Sequence, residues 1–159
     1  MRTLWAILLG GLALIGTAEA RLGESKEQVI ERYGQPITDE AGDPPFDRVL
    51  ICKKDKYKFR IGFINDKAET ITIISTEGLT EAEFEIFLKE NSSGKGFKAL
   101  EIMEALGFYP EGVKVKFYEE PDTKRDAIVL QDEYGVSLTV NSEAYLALME
   151  SRLFPKPPR

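Results

Sequence analysis

The 159-residue chain contains no histidine. This absence excludes Ser-His-Asp and Cys-His catalysis in their usual forms. It also excludes zinc, copper and haem sites that use histidine ligands. No other pattern singles out a catalytic group, so we predict a protein that is not an enzyme and binds neither metal nor cofactor.

Cysteine is almost as scarce, because Cys52 is the only one in the sequence. A single cysteine forms no intrachain disulfide, so the fold must depend on its hydrophobic core. Cys52 lies in the apolar run 49–52, which favours a buried structural thiol. A disulfide to a second chain is the alternative.

Positive charge is in deficit, with 21 Lys and Arg against 27 Asp and Glu and a net charge of −6. An acidic balance argues against nucleic acid or an anionic membrane as the main partner.

The only long apolar run lies at the N-terminus, between Arg2 and a small-residue site that ends at Ala20. This pattern predicts a signal peptide over residues 1–20, cleaved between Ala20 and Arg21. Cleavage after Ala18 is the alternative. We therefore expect a periplasmic or secreted protein.

A membrane anchor is the competing interpretation of the same run. As a helix, the run 4–18 spans roughly 22 Å, which is short of the ~30 Å hydrocarbon core of a bilayer. A lipoprotein would need cysteine directly after the cleavage site, and Arg21 stands there. We therefore predict no membrane anchor after cleavage.

Capping residues predict where the helices begin. Ser25 with Gln28 and Thr80 with Glu83 form capping boxes, and Gly34 can end the first helix. We predict helices over 25–33, 80–91 and 143–152, and a further short helix over 97–106.

Six apolar runs have strand character. They cover residues 49–53, 57–64, 70–75, 113–118, 127–130 and 136–140. The second run alternates apolar and polar residues, which is typical of an antiparallel sheet with one buried face.

Side-chain parity limits the turns between these strands. For Ile71 to share a face with Ile61, the turn at 65–66 must have three or five residues. A loop over 131–135 likewise places Ile128 and Leu130 on the face of Leu138.

The order of elements is α-β-β-β, followed by α-β-β-β with an extra helix. We predict the fold class α+β, with antiparallel sheets, helices on one face and two α-β-β-β repeats, over about 22–76 and 79–152. The two sheets should pair or abut within a single domain, 21–154, followed by a disordered tail, 155–159.

The first helix reads Gly23-x-Ser25-x-x-x-Val29-x-x-x-Tyr33-Gly34-x-Pro36. This motif resembles the opening of the SmpA/OmlA (BamE-like) outer-membrane assembly lipoproteins. Their helix-plus-three-strand module is also the repeat of secreted β-lactamase inhibitory proteins, whose tandem layout is similar. The resemblance covers about fifteen residues and implies a binding module with no catalytic residues. The lipid-bearing cysteine of the first group and the paired cysteines of the second are absent here.

Four basic residues alternate along the first predicted sheet and form its candidate interaction surface, namely Lys54, Lys56, Lys58 and Arg60. On one face, with Lys53 adjacent, they would attract a protein partner with an acidic surface, or else an anionic glycan or lipid head groups. The alternative is a solvated face that discourages edge pairing.

Three other segments suggest weaker candidates. The loop 91–96 faintly resembles a phosphate-binding loop, but it lacks the required spacing. The acidic turn 119–122, with Asp126 nearby, offers oxygen ligands without a calcium-binding pattern. Tyr109 and Tyr118 would belong either to a binding surface or to the core.

The best functional hypothesis from the sequence is an exported, non-enzymatic protein-binding module. The alternatives are a small carboxylate-using hydrolase or ligand carrier, and a structural component of the cell envelope.

Overall fold

The computed structural model describes residues 21–100, 112–121 and 123–153. It contains three helices, α1 (Lys26–Tyr33), α2 (Glu81–Asn91) and α3 (Glu143–Leu153). Both predicted capping boxes are confirmed. Gly34 ends α1 as predicted, with a φ of 81°. The predicted signal peptide and the tail lie outside the described residues.

Eight strands form one sheet. They are β1 (Thr38–Glu40), β2 (Arg48–Lys54), β3 (Tyr57–Ile64), β4 (Lys67–Ser75), β5 (Lys98–Leu100), β6 (Lys114–Glu119), β7 (Asp126–Asp132) and β8 (Gly135–Asn141). Their order across the sheet is β1-β2-β3-β4-β8-β7-β6-β5, and every neighbouring pair is antiparallel.

The predicted fold class, α+β with two α-β-β-β repeats, is wrong. Of the described residues, 41% are in strands and 25% in helices, so the protein is more β-rich than expected. One reason is that β1 and β5 are too short to show alternation. The segment 98–100, predicted as the start of a helix, is strand β5. The other reason is that β4 and β8 pair along 70–75, which makes a single continuous sheet.

The predicted turn length between β3 and β4 is also wrong, because Ile64 pairs with Lys67 across a two-residue turn. The register shifts further along, where Glu69 is the extra residue of a β-bulge. Ile71 thus lies opposite Ile61, as the parity argument required. The β-bulge, and not a longer turn, therefore places Ile71 on the same face as Ile61.

The loop predicted between β7 and β8 is wrong for a related reason. The polar end of β7 stays paired up to Asp132, which leaves a two-residue turn. Val129 therefore lies opposite Leu138, while Ile128 and Leu130 point to the other face.

The core lies between α1, α2 and one face of the sheet, which we call the inner face. Tyr33 of α1 and Phe87 of α2 both pack against Phe59, with ring centroids 4.5 Å and 6.2 Å away. Cys52 is fully buried in the same cluster, as predicted. Each large apolar side chain buried here contributes about 1.5 to 3 kcal/mol.

The opposite side of the sheet is the outer face, and α3 begins at one end of it. Tyr145 of α3 stacks on Phe46, with ring centroids 5.5 Å apart. Phe46 in turn covers Gly62, where an added Cβ would come within 2.6 Å of the ring. Gly62, which the alternation of β3 places with the basic residues, is therefore covered by an aromatic ring.

Candidate binding surface

Direct cross-strand pairing arranges the outer-face side chains in rows, because residues opposite each other point to the same side. One row consists of Lys53, Lys58, Ile74, Ser137, Leu130 and Val115. The next consists of Ile51, Arg60, Thr72, Thr139, Ile128 and Phe117. Across the sheet, the outer face changes from largely basic through hydroxyl-bearing to apolar.

Two of the four predicted interaction residues, Lys54 and Lys56, are not on this face. Lys54 pairs with the inner-face residue Tyr57, and its Nζ donates to the carbonyl of Arg32 at 3.2 Å. Lys56 lies in the β2–β3 turn, with its Nζ 2.8 Å from an oxygen of Glu83. Both lysines hold helices against the sheet.

The other two, Lys58 and Arg60, do lie on the outer face, together with Lys53. We call these three residues the outer basic patch. Lys53 and Lys58 are exposed and directly opposite each other. Neither makes an ion pair within the described chain, although opposed like charges destabilise a sheet. Arg60 lies 5.6 Å from the centroid of the Phe46 ring.

The side chains at the centre of the outer face are polar, but they form a hydrogen bond with each other. The hydroxyl oxygens of Thr72 and Thr139 are 3.0 Å apart and hydrogen-bonded. Beyond them, Ile128 and Leu130 are partly buried rather than fully covered. An apolar strip therefore lies across the hydroxyl groups from the outer basic patch.

Glu83 is the most connected carboxylate of the helix layer. It closes the capping box by accepting from the backbone N–H of Thr80 at 2.7 Å, and it also accepts from the Tyr57 hydroxyl. Lys56, Tyr57 and the capping interaction lower the pKa of Glu83 from its ordinary 4.5 to about 2. Glu83 is thus an anchor for α2.

The loop after α2, which faintly resembles a phosphate-binding loop, surrounds the carboxylate of Glu120. Glu120 is 1% exposed and accepts from the Ser92 hydroxyl at 2.5 Å and the Ser93 backbone N–H at 2.6 Å. Thr123 Oγ1 adds a third bond at 3.0 Å. Burial acts to raise the pKa of Glu120, but these hydrogen bonds hold it below its usual value.

Asp126 and Glu119 are neighbouring carboxylates on the sheet. They lie directly opposite each other on β7 and β6. Burial raises the pKa of Asp126, although Asn141 Nδ2 donates to it at 2.7 Å. Neither carboxylate lines the groove described next. Among the residues that the structure describes, no group of three or more His, Cys, Asp or Glu could hold a metal ion.

A groove of about 720 Å³ lies on the inner face between α2 and strands β6, β7 and β8. We call it the inner groove. Lys114 and Lys116 of β6 line it, together with aromatic and aliphatic side chains. Two apolar residues of β6, Val115 and Phe117, alternate with these lysines. In the structure they point to the outer face, and the lysines take the inner one.

Tyr118 packs at the inner groove against Phe84 of α2, with ring centroids 5.2 Å apart. Burial raises the pKa of its hydroxyl. Of the two predicted alternatives for Tyr118, this contact favours packing at the edge of the core. Tyr109 lies outside the described residues.

Within the described ranges, no helix is long and apolar enough to cross a membrane. The chain matches no protein-family model, no curated protein and no solved structure.

Proposed function

We propose that this chain is an exported, non-enzymatic module that binds an acidic protein surface through the outer face of its sheet. The observation that carries the proposal is the pair of exposed lysines, Lys53 and Lys58, which lie directly opposite each other and have no ion-pair partner among the residues that the structure describes. Their mutual repulsion costs stability, and a carboxylate-bearing partner would relieve it.

Charge makes the outer basic patch distinctive. The chain as a whole carries a net charge of −6, so this patch is locally positive on a protein that is negative overall. Such a patch steers an acidic partner to one orientation and speeds its association. The corrected contact set is Lys53, Lys58 and Arg60, with Lys54 and Lys56 assigned to the support of α1 and α2.

The remainder of the outer face supplies the other part of a protein interface. Stable interfaces combine an apolar centre with a polar rim. Here the apolar strip around Ile128 and Leu130 lies beside hydroxyl groups, and the lysines lie at the far side. A partner would bury the strip while its carboxylates meet the lysines.

Export rests on the N-terminal pattern, with residues 1–20 as the signal peptide. The likeness of the 23–36 motif to the SmpA/OmlA proteins supports a role in the envelope or outside it. Arg21 in place of a lipid-bearing cysteine indicates release as a free protein.

Affinity capture from the native envelope fraction, at low salt and at about 1 M salt, tests this proposal. The triple variant K53S/K58S/R60S should lose the captured partner, and high salt should release it from the wild type. The matched control K67S/K89S/K124S removes the same charge from exposed lysines that belong neither to the outer basic patch nor to the inner face of β6. Equal capture by wild type and the first variant, or equal loss in both variants, would refute the proposed surface.

A further inference from the structure

The inner groove has the dimensions and lining of a small-molecule site. Its volume of about 720 Å³ falls within the range of roughly 300 to 1,000 Å³ typical of ligand pockets. It opens beside α2 on the inner face, so it is separated by the sheet from the outer basic patch. A ligand here would leave the proposed protein-binding surface free.

The floor and one wall of the inner groove are apolar. Val129 and Val136 form part of the floor, and Phe84 and Leu88 of α2 form the wall. Phe97 approaches from the segment after α2. Because these side chains pack at the margin of the core, an apolar ligand body could extend the core without rearranging it.

Two lysines provide the polar end of the inner groove. Lys114 and Lys116 are two residues apart on β6 and therefore point the same way. Both are exposed, and neither makes an ion pair within the part of the chain that the structure describes. Glu81 and Glu85 line the groove from α2 but do not pair with these lysines.

We propose that the inner groove binds an anionic amphiphile, with one carboxylate or phosphate group held by Lys114 and Lys116 and an apolar body beneath α2. The charges set the direction of the ligand, because Glu81 and Glu85 repel an anion from the helix side. A neutral amphiphile would bury the same apolar area without the two charge-assisted contacts.

Calorimetric titration of the purified protein with decanoate, decyl phosphate and decanol tests this assignment. Decanoate or decyl phosphate should bind about tenfold more tightly than decanol, because the alcohol makes no ion pair. The two anions distinguish a fatty-acid-like ligand from a phospholipid-like one. Failure of both anions to bind the wild type would overturn the proposal.

The variant K114S/K116S should weaken binding of the anions about tenfold and leave decanol binding nearly unchanged. The matched control K67S/K124S removes two exposed lysines that do not line the inner groove and should leave all three titrations unchanged. Equal weakening by both variants would show a general charge effect and contradict the site. A second variant, Val129→Trp, should fill the groove and abolish binding of all three probes, with folding checked by circular dichroism.

An acidic peptide without an apolar tail serves as the remaining probe. If it binds the wild type in a manner that depends on Lys114 and Lys116, while decanoate and decyl phosphate do not bind, the ligand class is wrong. Because the probes and variants differ from those that test the outer basic patch, failure here leaves the proposed function standing.

Discussion

Glu83 connects three parts of the molecule at the scale of single residues. It caps α2 through Thr80, pairs with Lys56 in the β2–β3 turn and accepts from Tyr57 of β3. These contacts need the ionised carboxylate, since it accepts every bond and balances the lysine charge. Glu83 therefore contributes to folding in a pH-dependent way.

The substitution Glu83→Gln should remove the acid-sensitive part of this contribution. The folded-state pKa of about 2 lies below the ordinary 4.5, so the carboxylate stabilises the fold above the higher value. That stabilisation is lost as the pH falls from 4.5 to about 2. Urea unfolding at about pH 6 and about pH 2 should show a smaller fall in unfolding free energy for Glu83→Gln than for the wild type.

The substitution Glu85→Gln is the matched control for this measurement. Glu85 is an exposed residue of the same helix and does not touch Lys56. Its variant should keep the full pH dependence of the wild type. An equal loss of pH dependence in the two variants would contradict the role given to Glu83.

Sequence patterns predict some residue roles well and others poorly. The caps at Ser25 and Thr80 are local, because each depends on a residue three positions away. The prediction that Lys54 and Lys58 share a face is wrong, because the face of each residue depends on cross-strand pairing. Cross-strand register puts Lys54 opposite Tyr57 on the inner face, which no alternation within one run reveals.

At the scale of elements, Glu120 organises the loop between α2 and β5. Its carboxylate holds Ser92 and Ser93, and the Ser92 hydroxyl accepts from the backbone N–H groups of Gly94 and Gly96. A buried carboxylate with this many donors is a fixed part of the fold.

The substitution Glu120→Ala should destabilise the protein by about 1 to 3 kcal/mol, because it leaves three part-buried donors, on Ser92, Ser93 and Thr123, without their acceptor. Hydrogen exchange at Ser93, Gly94 and Gly96 should accelerate before global unfolding. The neighbouring exposed residue provides the control, and Glu119→Ala should change neither quantity measurably. Unchanged exchange in Glu120→Ala would show that the loop is held by other contacts.

Strands with long apolar runs are predictable from the sequence here, and short strands are not. The limits of β3 match the predicted run 57–64. The short β1 and β5 have too few residues to show alternation, and the bulge at Glu69 depends on the cross-strand register of the β3–β4 hairpin. The inner groove is not predictable from the sequence, because Val115 and Phe117 of β6 face outward, against the usual preference of apolar residues for the core side.

At the scale of the whole molecule, the single sheet separates two chemically different surfaces. The inner face carries the core, α1, α2 and the inner groove. The outer face carries the basic patch and the apolar strip, with α3 at one end. This separation is why protein binding on one side and ligand binding on the other are independently testable.

The central claim is that a partner protein lies on the outer face, and site-specific photo-cross-linking tests it most directly. A photoreactive residue at Ser137 stands between the basic patch and the apolar strip. The control position is Glu31, an exposed residue of α1. In the native envelope fraction, the Ser137 probe should give one protein adduct that disappears at high salt and in K53S/K58S/R60S, whereas the Glu31 probe gives none. An adduct from Glu31 with none from Ser137 would contradict the account.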